Sequence, residues 1–305
     1  MNILHKMANF LCTLHKDEVN SNTFFYTSYT NVFLVKTTMA LKIWCISEHF
    51  LTKKWENLII CSNDRRKVRQ IMRTILFDLD GTLLPMDQDV FGKAYFGGMA
   101  KKMAPYGYDP QRLVKAIWTG TEAMVKNDGS VRNDDAFWAC FAGIFGPDVR
   151  KDEPIFEEYY YNEFQQVRQV CGFNPEAGKT VKKLKEMGFR LVLATNPLFP
   201  AIATQSRAKW AGLDIEDFDL ITTYENSSHC KPNPDYYREI LDSIGARAED
   251  CLMVGNDALE DMVAEKVGMQ VFLLTPHLIN KHQLDISRYP QGDFSKLLEF
   301  VGNWK

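Results

Sequence analysis

Short apolar runs alternate with amphipathic stretches along the chain from Met72 onward. The first run covers residues 74–77, and similar runs recur near residues 190, 220, 251 and 270. These runs have the length of buried strands, and apolar residues recur at helical spacing between them. Strands that alternate with helices form a parallel sheet whose two faces are covered by the helices. The pattern therefore predicts an α/β fold with a Rossmann-like parallel sheet core and helices on both faces.

The elements of the C-terminal part can be given bounds from the same pattern. Gly188 marks the end of one helix, because glycine is common just past a helix C-terminus. We predict strands over residues 190–194, 220–222, 251–254 and 270–274, and helices over residues 178–187, 201–211, 234–244, 258–267 and 294–301.

The stretch between the first two strands is too long for a loop in a compact domain, at about a hundred residues. Its apolar residues recur at helical spacing, in Phe137, Trp138, Phe141 and Ile144 and again in Phe156, Tyr160, Phe164 and Val167. We therefore interpret the stretch as an inserted, mainly helical unit.

Residues 1–71 do not share this alternation. They mix aromatic clusters with Lys, Asn and Thr and lack helical or strand periodicity. We interpret them as an N-terminal extension outside the fold, and one hypothesis is that Met72 is the native start. The alternative is a native extension that packs on the core or on a partner. Mass spectrometry of the native N-terminus distinguishes them, since a peptide from upstream of Met72 would refute the later start.

Composition and charge exclude several classes of protein. The 305 residues are 46% hydrophobic and 25% charged, as in ordinary globular proteins. A net charge of −3 without a basic stripe argues against nucleic acid as the main partner. The best candidate for a membrane span, residues 32–46, is interrupted by Lys36 and Lys42, so we expect no membrane partner. The seven cysteines contain no C-x-x-C pair, so we expect a reducing, cytoplasmic location.

The segment directly after the first strand carries the most specific candidate chemistry, in the sequence D-L-D-G-T. Side chains two apart on a strand point to the same side, so Asp78 and Asp80 converge while Leu79 turns into packing. Two acids beside a glycine are also common in solvated turns. However, this motif is expected by chance in only roughly one chain of this length in a few hundred. We therefore interpret the pair as part of an active site.

This segment resembles the first signature of the haloacid dehalogenase-like hydrolases, most of which are magnesium-dependent phosphatases with an aspartate nucleophile. The three other signatures of that family are matched in its order. Thr195 ends a strand, Lys231 lies in the sequence H-C-K-P-N-P, and an acidic cluster follows Val254 in the sequence V-G-N-D-A-L-E-D. Together they cover roughly residues 72–275 and are far more specific than any one alone. Because ligands of open α/β sheets bind outside the carboxyl ends of strands, we expect the four signatures to meet at one cleft.

The resemblance implies a role for each matching residue. Asp78 would attack phosphorus and form an aspartyl-phosphate, and Asp80 would act as acid and then as base. Thr195, Asn196 and Lys231 would bind the substrate phosphate, with Thr195 and Lys231 counted among the catalytic residues. Taken alone, Thr195 would be an ordinary strand end and Lys231 an ordinary loop lysine. We assign them functional roles only because the other signatures are also present.

The resemblance also implies Mg²⁺ as cofactor, held by Asp78, the backbone carbonyl of Asp80, and the acidic cluster. Asp257 and Asp261 are four residues apart, so on a helix they would face the same way, and hard carboxylates suit Mg²⁺. Asn256 stands where the family often has its first acidic residue. Which of Asn256, Asp257 and Asp261 touches the metal is open, and we favour Asp257.

A second interpretation of the acidic cluster is structural. Asp257 followed by Glu260 resembles a helix capping box with Asp in place of Ser or Thr. Capping and metal binding are compatible, so this interpretation removes only part of the case for a metal. The six histidines and seven cysteines show no ligand spacing for a transition metal.

The resemblance divides the chain into a core of residues 72–87 and 174–305 and a helical cap of residues 88–173. It implies a magnesium-dependent phosphatase whose partner is a small phosphorylated metabolite. A phosphomutase with the same core and a non-catalytic phospho-ligand-binding protein are the alternatives. Dehalogenation is disfavoured, because Asp80 supplies an acid/base that dehalogenases of the family lack. We assign no role to the cap residues Trp118, Lys126, Asn127 and Trp138, since Trp and Lys at helical spacing are usually core and solvated face.

Overall fold

The computed structural model describes residues 73–304, so the predictions for residues 1–71 lie outside the described residues. Within that range, one sheet of six parallel strands has the order β3-β2-β1-β4-β5-β6. The strands are β1 (Thr74–Phe77), β2 (Arg190–Leu193), β3 (Leu220–Ile221), β4 (Cys251–Gly255), β5 (Gln270–Leu274) and β6 (Gln291–Gly292). The predicted Rossmann-like parallel sheet is confirmed.

The central strand β1 is buried on both sides, which explains its continuous apolar sequence. Ile75 and Phe77 pack into one hydrophobic cluster, whereas Leu76 packs into a second cluster on the opposite face. The α-helices of the described residues are α1 (Gln88–Met103), α2 (Pro110–Val125), α3 (Asn133–Phe145), α4 (Glu153–Tyr161), α5 (Pro175–Glu186), α6 (Ala201–Trp210), α7 (Pro234–Ile244) and α8 (Phe294–Asn303). Some of these helices cover the two faces of the sheet.

The two faces are covered by different helices. Ala177 of α5, Ala203 of α6 and Leu297 of α8 belong to the cluster that contains Ile75. Tyr236 of α7 belongs to the cluster that contains Leu76. The prediction of helices on both faces is therefore confirmed. No helix within residues 73–304 is long and apolar enough to cross a bilayer.

Helices α1 to α4 and a 3₁₀ helix (Glu163–Val170) lie between β1 and β2 in the sequence. The two segments that join them to the sheet lie side by side. Met86 forms an antiparallel bridge with Cys171, and the N–H of Gly172 donates to the carbonyl of Pro85 at 2.7 Å. Helix α1 begins at Gln88, where the side chain of Asp87 accepts two backbone N–H groups. We propose on this basis the division into a core and a cap of residues 88–173.

Two element predictions need correction. The helix predicted over residues 258–267 is wrong, because turns occupy its first half and a 3₁₀ helix (Met262–Val267) its second. The carboxylate of Asp261 accepts the N–H of Asp257, and this contact shapes the turn instead of a regular α-helix. Helix α5 begins three residues before the predicted position, since Asn174 caps it and Pro175 occupies its first turn.

Candidate active site

The candidate site lies where the strand order reverses. Strand β1 pairs with β2 on one side and with β4 on the other, and crevices at such points bind ligands in open α/β sheets. A cavity of about 860 Å³ opens at this edge. Its lining includes the predicted residues Asp78, Asp80, Thr195, Asn196, Asp257 and Asp261. The structure therefore brings the first, second and fourth signatures to one cavity.

Lys231 lies at the centre of the site and links two of the signatures. Its ammonium group donates to Oδ1 of Asp78 at 2.9 Å and to Oδ1 of Asp261 at 2.7 Å. The Lys231 side chain is only 1% exposed. Burial alone would lower the pKa of Lys231, but the Asp261 and Asp78 carboxylates raise it well above its usual value. Lys231 is therefore a fixed positive charge between two acids.

Asp78 is held on its other side by a residue for which the sequence suggested no role. The hydroxyl of Thr82 donates to Oδ2 of Asp78 at 2.8 Å and also lies 2.9 Å from Oδ1 of Asn256. Gly81 makes this approach possible, since its φ is +87° and a Cβ there would lie 2.4 Å from Nδ2 of Asn256. The glycine of the motif therefore allows the first and fourth signatures to pack together.

Asp80 pairs with Arg207, which sequence reasoning missed. Arg207 of α6 is fully buried and donates through Nη1 to Oδ2 of Asp80, through Nη2 to the hydroxyl of Thr204, and through Nε to the carbonyl of Ala203. Its guanidinium lies 4.4 Å from the centre of the Phe199 ring. No signal for this pair was present in the sequence, because the helix has no marked apolar face that would place Arg207 in the core.

The second oxygen of Asp80 is exceptional. Oδ1 is buried and has no hydrogen-bond partner among residues 73–304. Burial raises the pKa of Asp80, and the charge of Arg207 opposes that rise. Asp80 therefore has one oxygen fixed by a cation and one oxygen available to carry or accept a proton.

The second signature is fixed through its backbone. The carbonyl of Thr195 accepts hydrogen bonds from the hydroxyls of Thr222 at 2.7 Å and Tyr236 at 2.8 Å. Asn196 joins the other loops, because its Oδ1 accepts the N–H of Lys231 at 3.2 Å and its Nδ2 donates to Glu260 at 3.1 Å. Thr195 therefore has a fixed place on the cavity wall, and Asn196 ties three signatures together.

The acidic cluster combines capping with ion pairing. Oδ1 of Asp257 accepts the N–H groups of Leu259 at 2.8 Å and Glu260 at 2.9 Å, as a capping residue does. In a capping box, the side chain of Glu260 would also accept the N–H of Asp257. Asp261 does this instead, since its Oδ2 accepts that N–H at 2.8 Å. With Lys231 on Oδ1, both carboxylate oxygens of Asp261 accept hydrogen bonds.

Burial also raises the pKa values of two acids in this cluster. It raises the pKa of Asp261 above its ordinary value and raises that of Glu260 to about 7, although the charge of Lys231 opposes both shifts. Gly255 is required beside them, since a Cβ there would lie 2.1 Å from Oδ2 of Asp261. The close approach of the β4 end to the Asp261 carboxylate therefore depends on this glycine.

The donor set fits a hard cation. Acidic side chains outnumber basic ones around the cavity. The acids are Asp78, Asp80, Asp89, Asp257, Glu260 and Asp261, and the basic residues are the buried Lys231 and Arg207 and the exposed Lys93 and Lys281. Within residues 73–304, no cluster of three or more His, Cys, Asp or Glu side chains has the geometry to enclose a metal. Mg²⁺ does not need such a cage, because it binds one or two carboxylates and keeps several waters. Asp78, Asp257 and the backbone carbonyl of Asp80 supply oxygen donors, which this ion prefers.

Paired acids after the central strand of a parallel sheet, with a buried lysine beside them, match the arrangement expected of a hydrolase with an α/β fold. Residues 72–266 match the family model of the haloacid dehalogenase-like hydrolases, and the chain belongs to this family. The resemblance seen in its four signatures is therefore confirmed.

Several curated relatives are phosphatases. Ribulose-1,5-bisphosphate 5-phosphatase of Halopiger xanaduensis is 25% identical over 209 residues, which cover 66% of this chain and 84% of that protein. Pyrophosphatase PpaX of Halalkalibacterium halodurans is 30% identical over 65% of this chain and 81% of its own length. Phosphoglycolate phosphatase of Aquifex aeolicus is 25% identical over 66% of this chain and 84% of its own length. The chain is thus an enzyme of a hydrolase family with phosphatase members.

A solved structure supports the fold. The 2-haloacid dehalogenase of Pseudomonas syringae pv. tomato DC3000 superposes with a TM-score of 0.52 over 77% of this chain and all of that one, at 20% sequence identity. At that identity the similarity concerns the fold alone.

Proposed function

We propose that the protein is a magnesium-dependent phosphatase of a small phosphorylated metabolite and that it acts through an aspartyl-phosphate. The contact that carries this proposal is the buried Lys231 bridge between Asp78 and Asp261. It places a fixed positive charge beside a carboxylate on the cavity wall, where a transferring phosphoryl group needs neutralisation. The phosphatase names of the relatives support the same reaction class.

In the first step, a carboxylate oxygen of Asp78 forms a bond to phosphorus while the bond from phosphorus to the leaving oxygen breaks. Asp80 gives its proton to that oxygen, and its unpartnered Oδ1 is the atom able to carry the proton. Lys231 and the hydroxyl of Thr195 stabilise charge on the phosphoryl oxygens, as Asn196 holds the loop of Lys231 in place.

In the second step, Asp80 takes a proton from water, whose oxygen attacks phosphorus and breaks the bond to Asp78. Inorganic phosphate leaves, and both acids return to their starting states. Covalent catalysis of this kind divides one difficult hydrolysis into two easier steps.

We assign Asp78, the backbone carbonyl of Asp80, and Asp257 as the protein groups that would hold Mg²⁺. Bound there, Mg²⁺ would neutralise phosphoryl charge and orient the substrate. Asp261 was also a candidate ligand, but its carboxylate is 1% exposed, against 10% for that of Asp78, and it binds both Lys231 and the N–H of Asp257. We therefore give Asp261 the role of holding Lys231.

The helical part would control access to the cavity. Helix α1 follows directly on the segment at Met86, which lies beside Cys171 where the helical part returns to the sheet. Two adjacent connections form a short hinge, and closure of a cap would exclude bulk water from the phosphoryl group. A cytoplasmic location also belongs to this proposal, since the described cysteines Cys140, Cys171, Cys230 and Cys251 are all free.

The test is phosphate release from p-nitrophenyl phosphate by the full chain, with and without Mg²⁺. We expect turnover that requires the metal, is lost in Asp78→Asn and persists in Asp89→Asn. Asp89 is the matched control, because it is an exposed acid that lines the same cavity and makes no side-chain bond to the site. Full activity of Asp78→Asn would refute the mechanism. Absence of turnover in a folded parent would contradict a general phosphatase and favour a phosphomutase or a binding protein.

A further inference from the structure

The part of the cavity away from the acids is aromatic. About a third of its lining residues are Phe, Tyr or Trp, against 12% of the whole chain. Phe96 of α1 and Trp118 of α2 form a pair with ring centres 5.2 Å apart. Tyr95 and Phe199 form another pair, with ring centres 5.3 Å apart, and both line the cavity. The wall that faces the leaving group is thus built for contact with rings or hydrocarbon.

Trp118 is not part of the hydrophobic core. Its side chain is 58% exposed, whereas the preceding residues Ala116 and Ile117 of the same helix are buried. An exposed tryptophan contributes little to folding, yet this one lines the cavity beside Phe96. The exposed ring surface is therefore available for a ligand.

The charge of the lining argues against a second phosphate on the substrate. Among the described residues, the basic side chains of the cavity wall are Lys93 and Lys281, both exposed, and no arginine lines it. Lysine can bind phosphate as a point charge, but the six acids of the same lining outnumber these two lysines, and no arginine fork is present there. Arg207 does not supply such a fork, because Asp80 already occupies its guanidinium. The lining fits a leaving group without its own negative charge.

We propose that the substrate is a phosphate monoester with an uncharged aromatic leaving group, whose ring stacks on Trp118 beside Phe96. This inference rests on the phosphatase function proposed above. A volume of about 860 Å³ lies within the range of pockets for small molecules and holds a ring system in addition to the phosphate. Such a substrate differs in charge from the ribulose bisphosphate, pyrophosphate and phosphoglycolate named for the relatives.

The test compares esters of equal chemical reactivity. 2-Phenylethyl phosphate, 2-cyclohexylethyl phosphate and n-butyl phosphate are all primary alkyl esters, so differences in kcat/KM report recognition of the leaving group. We expect the full-length protein to prefer the phenyl ester over the cyclohexyl and butyl esters, and over phosphoglycolate. Preference for phosphoglycolate or for ribulose bisphosphate would overturn the inference.

Variants of the exposed tryptophan locate the effect. Trp118→Ala should lower kcat/KM for the phenyl ester by roughly three- to tenfold and lower that for the butyl ester much less, and Trp118→Phe should retain most of the parent value. Tyr161→Ala is the control, since Tyr161 is 68% exposed and lies outside the cavity lining. An equal loss for both esters in Trp118→Ala would overturn the stacking role.

A binding measurement separates this inference from the reaction. 2-Phenylethylphosphonate and n-butylphosphonate cannot be hydrolysed, and calorimetry gives their affinities whether or not the protein turns over. Tighter binding of the phenyl compound that Trp118→Ala removes would support the aromatic site even if no ester is hydrolysed. Equal affinities for the two phosphonates would refute it even in an active phosphatase.

Discussion

Replacement of Lys231 by methionine tests the electrostatic core of the site. Methionine keeps an unbranched chain but removes the ammonium group between Asp78 and Asp261. The Asp261 carboxylate is 1% exposed and that of Asp78 is 10% exposed, so water does not replace the lost partner. The variant therefore leaves two buried carboxylates close together without their shared cation.

The expected cost follows from that burial. Hydrogen bonds to charged groups contribute about 1.5–3 kcal/mol each, and removal of one member of a buried ion pair costs about 3–5 kcal/mol. We expect Lys231→Met to lower the free energy of unfolding by about 3–5 kcal/mol near neutral pH, a large part of the stability of a typical domain.

The loss should depend on pH. Burial already raises the pKa of Asp261, and removal of Lys231 raises it further. An acid whose pKa is higher in the folded state favours folding below its unfolded pKa, and this contribution is lost as the pH rises through the folded pKa. The deficit of Lys231→Met should therefore shrink on acidification from about pH 7 to about pH 5.

Urea unfolding without added metal, followed by circular dichroism, measures the change at constant m-value. Lys179→Met is the matched control. Lys179 pairs with Glu176 at 2.8 Å, but the two side chains are 69% and 58% exposed, so we expect a change within about 0.5 kcal/mol. A loss of less than about 1 kcal/mol in Lys231→Met, or one equal to that of the control, would refute the account of this lysine.

Three further predictions concern neighbours of the site. Arg207→Gln removes the cation that opposes the rise in the pKa of Asp80. Because Asp80 must carry a proton to act as acid, the alkaline limb of the pH profile of kcat should move to higher pH while overall activity falls. An unmoved alkaline limb would contradict the pairing of Arg207 with Asp80. Gly255→Ala should destabilise the protein by roughly 1–3 kcal/mol in urea unfolding, because its Cβ would meet the carboxylate of Asp261, and unchanged stability would show that this contact is absent. Glu260→Gln should stabilise the protein near neutral pH but not near pH 4.5, because burial raises the pKa of Glu260 to about 7 and the folded state therefore disfavours its charge. Thermal unfolding across that pH range measures the difference, and a difference that does not depend on pH would contradict this prediction.

The regular part of the fold was predictable because its central strands are buried on both faces. Strand β5 (Gln270–Leu274) and helix α7 (Pro234–Ile244) have the predicted bounds, since the strand is a short apolar run and the helix has apolar residues at helical spacing. Strand β6 escaped prediction, because its two residues form no apolar run. The segment 258–267 was predicted wrongly, since the side chain of Asp261 bonds to backbone and to Lys231 and local periodicity does not contain that contact.

The candidate site shows the same limit. Asp78 and Thr195 each follow directly on a strand, which predicts that they meet at one edge of a parallel sheet. Both line the same cavity in the structure. The partners that set charge come from distant positions: Arg207 lies 127 residues from Asp80, and Thr82 contacts Asn256 across 174 residues. Trp118 was given no role, because tryptophan at helical spacing is usually core. It is instead 58% exposed and borders the cavity, which the pattern does not show. Pair contacts of this kind require the folded arrangement.

The central claim is that Asp78 carries the phosphoryl group, and intact-protein mass spectrometry tests it most directly. The full chain is mixed with Mg²⁺ and p-nitrophenyl phosphate and quenched in acid, with Asp80→Asn included to slow hydrolysis of the intermediate. We predict an added mass of one phosphoryl group that maps to the peptide containing Asp78 and is absent from Asp78→Asn. Turnover without an adduct in either protein, or an adduct on another residue, would contradict the account.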